Sequence, residues 1–234
     1  SHFIIPETIE SSDFKKGPYY SEKGDFCTSG FVNFNTRNAL NTNLVKLEGG
    51  MFNTFRALAM INLLGEHSKQ KQQSWYFASE YRYTDAYFDY PQHFNRFNFF
   101  TKYNGKISAN NYLSVSASTL QSKWNASGQI PDRAVEEGLI GFYGALDPNE
   151  GGITSRTNVN AQLTTTLNNG AFIRNQLFYS YYTFDLHTNF TFFLVDSING
   201  DEIRQREQRN LVGYNASYNQ TSFAGSVKIT TEAG

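Results

Sequence analysis

Residues Ser155 to Leu167 read SRTNVNAQLTTTL, and they alternate without a break. Thr157, Val159, Ala161, Leu163, Thr165 and Leu167 fall on one side, while Arg156, Asn158, Asn160, Gln162, Thr164 and Thr166 fall on the other. A period of two is that of an extended strand with one apolar and one polar face. The same rhythm runs outward in both directions. Leu113, Val115 and Ala117 oppose Ser114, Ser116 and Ser118; Phe97, Phe99 and Tyr103 oppose Arg96, Asn98 and Lys102. Trp75, Phe77, Tyr81 and Tyr83 oppose Glu80 and Arg82, and Phe55 to Leu63 alternates with Leu58 and Met60 blurring its polar side. On the C-terminal side, Val212, Tyr214, Ala216 and Tyr218 oppose Gly213, Asn215, Ser217 and Asn219, whereas Ala171 to Asp185 is more mixed.

These patterns predict an all-β chain with about nine strands, at 43–49, 53–64, 74–84, 93–104, 110–122, 155–167, 171–185, 209–219 and 223–231. Most are well beyond the 5 to 6 residues usual in globular sheets and suit the roughly 10-residue tilted strand of a transmembrane β-barrel. Connection lengths alternate. Short ones fall at 65–73, 104–109, 168–170 and 219–222, and long ones at 84–92, 123–154 and 186–208. The connection near Gly49-Gly50-Met51 alone is short where a long one is due. Short turns at one end and long loops at the other are the habit of outer-membrane barrels.

Composition narrows the classes further. Among 234 residues, 38 are Phe, Tyr or Trp, so the chain is not disordered; Lys+Arg 20 against Asp+Glu 21 removes a general electrostatic case for nucleic acid. Cys27 is the sole cysteine, which excludes an internal disulfide and a cysteine metal cluster. Mean hydropathy is −0.50 and no apolar run reaches the roughly 18 residues of a spanning helix. His2, His67, His93 and His187 are scattered without metal-ligand spacing, no phosphate-binding glycine loop is present, and Asp147 to Gly152 reads as a turn, not a calcium loop. No cofactor, metal or catalytic constellation is expected. Residues 1–42, broken by Pro6, Pro18, Gly24 and Gly30, read as the edge of a separate small domain and a linker, leaving 43–234 to the barrel. About 21 residues per strand and an odd strand count predict an internal piece of a larger barrel. A soluble β-sandwich with ligand loops at one end and a passive porin are the rival readings of the same alternation.

Four stretches carry a family resemblance. IPETIE (Ile5 to Glu10) with KKGPYYSEKGDFCTSGFVNFNT (Lys15 to Thr36) resembles the end of the plug domain in TonB-dependent outer-membrane receptors, and LEGGMFNTFRA (Leu47 to Ala57) resembles their first barrel hairpin. The stretches Trp124 to Arg156 and Tyr179 to Arg209 are similar to two of their long outer loops. The resemblance implies a partial transmembrane barrel, about nine of 22 strands, and uptake of a scarce nutrient such as siderophore-iron across the bacterial outer membrane. It implies outer-membrane lipid, the TonB-ExbB-ExbD complex and a small-molecule or glycan ligand as partners. Outer-loop ligand contacts are expected at Trp124, Arg133, Tyr143, Asp147 and Glu150, with Arg204 and Arg206 (and Arg209) as anion contacts in the next loop. Arg56, Glu80, Arg82, Arg96, Lys102 and Arg174 are expected to line the lumen and meet the plug. Asn189 to Phe193 is too apolar for a free loop and is expected to extend a strand or cap the barrel.

Overall fold

The computed structural model describes residues 3–20, 27–65, 68, 70–191, 193–198 and 200–234; His2, Gly24, His67 and Phe192, named above, lie outside them. Strands β1 (Ile9–Lys16) and β2 (Gly30–Thr36) pair with each other, and nine further strands form a second sheet. These are β3 (Leu44–Gly50), β4 (Thr54–Asn62), β5 (Gln73–Thr84), β6 (Phe94–Lys106), β7 (Asn111–Asn125), β8 (Gly151–Thr166), β9 (Phe172–Thr188), β10 (Ile203–Ala224) and β11 (Val227–Ala233). Each pairs antiparallel with its neighbours in sequence, giving one uninterrupted meander from β11 to β3.

Connections at one end are 51–53, 85–93, 126–150 and 189–202; at the other they are 63–72, 107–110, 167–171 and 225–226. The second group closes by local chemistry. At Asn168-Asn169-Gly170, the Ala171 amide donates to Asn169 Oδ1 at 3.1 Å and Gly170 takes the left-handed φ of 80° that a side chain would resist. Three expectations are corrected here. The last turn falls at 225–226 instead of 219–222, β8 begins at Gly151, and β10 begins at Ile203, so residues expected in loops are strand. β9 stops at Thr188, so Asn189 does not prolong it; Phe192 of that stretch lies outside the described residues.

Register places Leu58, Met60, Tyr76, Ala78, Glu80, Arg96, Asn98, Lys102, Leu120 and Ser122 on a single face. The N-terminal segment lies against this inner face. Ile5 and Leu40 from that segment close a small core with Leu58, Met60, Tyr76 and Ala78, flanked by Phe100. The outer face has no second layer over it among the described residues: Val212, Tyr214 and Leu177 are 69%, 62% and 55% exposed. A sandwich would seal this face against another sheet, and the described residues form no such second layer.

The apolar band on the outer face also drifts across the register. Tyr83 leads row by row to Asn95, Lys123, Ile153, Asp185 and Arg206, so a row still aromatic on β5 is charged on β7, β9 and β10. Twelve residue pairs toward the opposite end, Tyr218 and Ile173 keep the band apolar where β7 is only starting at Asn111. Rows of hydrogen-bonded pairs run oblique to the axis of a barrel whose strands are inclined. A level apolar belt must therefore cross those rows at a slant, as this one does.

Candidate functional site at the inner wall and loop end

Pro6–Thr8 forms one 3-10 turn, with proline supplying the fixed φ of its first position and the Thr8 hydroxyl donating to Ile5 O at 2.7 Å. The turn presents Glu7 to the wall. Both Glu7 oxygens accept from Arg56, at 2.9 and 2.8 Å, in a bidentate pair. Arg56 Nε also donates to Glu80 Oε2 at 2.7 Å, and its Nη1 reaches Glu48 at 2.9 Å. Glu80 is fully buried and takes further bonds from Arg96 at 2.7 Å and Asn98 at 3.1 Å. Hydrogen bonds from Arg56 hold the Glu7 carboxyl down at about 2, against the opposing pull of partial burial.

The remaining seam is neutral or singly charged. Lys102 Nζ donates to the Thr36 carbonyl and hydroxyl at 3.0 and 3.1 Å; Tyr76 OH donates to Arg37 O at 2.9 Å; Arg156 sits 5.3 Å from the Phe3 ring centre. Of the six residues expected to face the lumen, all lie on the inner face by register, and Arg56, Glu80, Arg96 and Lys102 meet the N-terminal segment or its ion-pair network. Arg82 lies between Arg56 and Arg96 without a partner among the described residues, and Arg174 stacks at 5.7 Å on Phe172 of its own strand. Glu7 was visible in the sequence only as part of a motif, because its partner is 49 residues away.

At the loop end the expected ligand contacts separate. Tyr143 packs 5.4 Å from Tyr87, 5.1 Å from Phe142 and 6.5 Å from Phe88, and Phe52 lies 6.4 Å from Tyr87. Tyr87 and Phe142 are 56% and 72% exposed, so this cluster is an open aromatic surface shared by three connections. Arg133 projects from the single-turn helix Asp132–Glu136 and is exposed. Asp147 accepts the Asn149 amide and so shapes the turn. Glu150 is buried; Thr188 donates to it at 3.2 Å, and burial pushes its carboxyl up, with Asp147 and Glu202 adding to the shift. Trp124 is on β7, with its ring 6.5 Å from Phe184 on the inner face, where Tyr182 stacks on Phe184 at 6.4 Å. Arg204 and Arg206 are strand residues of the outer face; Asp185 holds Arg204 by two bonds at 2.8 and 2.6 Å. They do not join the loop cluster. Among the described residues, no group of three or more His, Cys, Asp or Glu is placed to hold a metal ion.

A wall of long antiparallel strands, with an N-terminal segment held on its inner face by polar contacts, has counterparts among solved structures. The ferric-catecholate import receptor Fiu from E. coli K12 matches with a TM-score of 0.67 at 13% identity, over 94% of this chain and 38% of that one. The outer-membrane pyoverdine receptor FpvA from Pseudomonas aeruginosa PAO1, bound to pyoverdine, matches with a TM-score of 0.70 at 12% identity, over 96% and 35%. The fold is that of an outer-membrane receptor barrel. The chain spans little more than a third of the length of these two receptors. No protein-family model matches the chain, and no curated protein matches its sequence.

Proposed function

We propose that residues 1–42 are the C-terminal end of a plug domain, that 43–234 are N-terminal strands of a barrel in the bacterial outer membrane, and that the protein is a TonB-dependent receptor. Its work is active uptake of a scarce ligand, siderophore-iron or a similar small molecule or glycan, and not enzymatic chemistry. The observation that carries the reading is the seam. A stopper meant to stay would be sealed by apolar packing. Here, beside the small apolar contact of Ile5 and Leu40, the N-terminal segment is fastened through Glu7, Thr36, Arg37 and Asn38 to charged and polar groups of the wall. Water can replace each such bond as it breaks, so the net cost of release per neutral bond is about 0.5–1.5 kcal/mol. The energy would come from the TonB-ExbB-ExbD complex acting through another part of the plug.

The exposed cluster of Tyr87, Phe142 and Tyr143, with Arg133 nearby in sequence, supplies the stacking surface and the charge that an outer ligand site needs. The test is growth of a deletion strain under iron limitation and on single glycans, with and without TonB. A TonB-dependent defect on one ligand class supports the reading. Uptake that persists without TonB points to a passive porin, and recovery of the protein free of detergent and membrane defeats both.

A further inference from the structure

Register sets Arg56, Arg82 and Arg96 side by side on three adjacent strands of the inner face. Directly opposed like charges repel, so the row exists only because carboxylates offset it. Lys46, Arg56 and Arg96 each pair with one or more of Glu7, Glu48 and Glu80, whereas Arg82 has no partner among the described residues. Arg82 is exposed and lines a pocket of about 320 Å³ walled also by Arg56, Arg96, Glu80, Glu48 and Thr54. The pocket lies near the loop end, since Thr54 opens β4 and Arg82 is two residues from the end of β5. The connection beside it, 51–53, is much shorter than its neighbours 85–93 and 126–150 and leaves that side of the rim low.

From these observations we infer that the pocket is a carboxylate-binding subsite for the transported ligand, with Arg82 as the open contact and Arg56 as a second contact that Glu7 occupies at rest. The structure already shows how a carboxylate binds there: Glu7 takes Arg56 with both oxygens. Arginine's planar fork suits a carboxylate in this way, where lysine would offer only a point charge. When the turn Pro6–Thr8 moves away, Arg56 loses the Glu7 carboxylate, so release of the segment strengthens the site for an incoming anion. The inference rests on the receptor reading and narrows its ligand class to molecules that carry a carboxylate.

Phenylglyoxal modification of the intact protein in detergent, followed by peptide mass spectrometry and with citrate as the carboxylate probe, reads the site arginine by arginine. Arg82 should label faster than Arg56 and Arg96. Citrate at roughly twice its Kd should slow Arg82 about threefold, while chloride at matched ionic strength should not. In the Glu7→Gln variant, Arg56 should become labelled and citrate-protected as well. Equal rates at Arg82 in citrate and chloride would overturn the subsite. The outcome is independent of the growth test: protection without a TonB-dependent phenotype keeps the anion site and removes the receptor, and the converse keeps the receptor and removes the site.

Discussion

Replacing Glu7 with glutamine preserves the turn at Pro6–Thr8 and removes the charge that Arg56 grips. The carboxyl is held at about 2 against 4.5 for a free glutamate, first by its hydrogen bonds to Arg56. At about 1.36 kcal/mol per pH unit, that difference caps the contribution to docking at roughly 3.4 kcal/mol. The side chain is 22% exposed, and solvent screening brings the working figure to about 1–2 kcal/mol. Because the folded value is depressed, the contribution is complete above about 4.5 and fades as pH falls toward about 2. The readout is hydrogen exchange at pH 7 of the Thr8 amide, bonded to Ile5 O, and the Arg37 amide, bonded to Thr8 O at 2.8 Å. About 1–2 kcal/mol corresponds to a roughly 5- to 30-fold acceleration in Glu7→Gln. Exchange within about twofold of the parent would mean that the bidentate pair does not hold the segment to the wall, and the reasoning would be wrong.

Three further outcomes are expected. Glu80→Gln leaves Arg56 and Arg96 facing each other across a buried gap, and urea unfolding in detergent should show a loss of about 3–5 kcal/mol. Val159→Lys on the outer face should cost about 2–4 kcal/mol in lipid vesicles and impair assembly, whereas Asn160→Lys, one residue on but facing inward, should be close to neutral. Asp201 accepts from Thr191 Oγ1 and from the amides of Val195 and Asp196, and these bonds hold its carboxyl below the usual range. Asp201→Ala should therefore speed chymotryptic cleavage in 189–202 several-fold at pH 7, and in the parent the loop should loosen as acid protonates that side chain.

The strands that alternate between contrasting faces were legible in the sequence almost to the residue. For β6 and β7, the contrast comes from one face meeting polar contacts or water while the other carries Phe97, Val115 and their kin. Where both faces are wet, the contrast vanishes. Arg204, Arg206 and Gln208 alternate with Gln205, Glu207 and Arg209, so the first six residues of β10 looked like loop although they pair with β9. Trp124 reads as loop in the sequence for a related reason: its contact is Phe184, beyond the reach of any local pattern. The inner-face residues followed from parity alone. Which of them would be engaged did not, because the partners Glu7 and Thr36 lie 49 and 66 positions away from Arg56 and Lys102.

The contacts between the N-terminal segment and the wall come in chain order, with Phe3 on Arg156, Glu7 on Arg56, Thr36 on Lys102, Arg37 on Tyr76 and Asn38 on Ser74. Tension applied from the segment's beginning therefore loads them one after another, as in peeling tape, instead of all together. The bidentate Glu7 clasp is loaded before the hydrogen bonds of Thr36, Arg37 and Asn38 and the buried contact of Leu40.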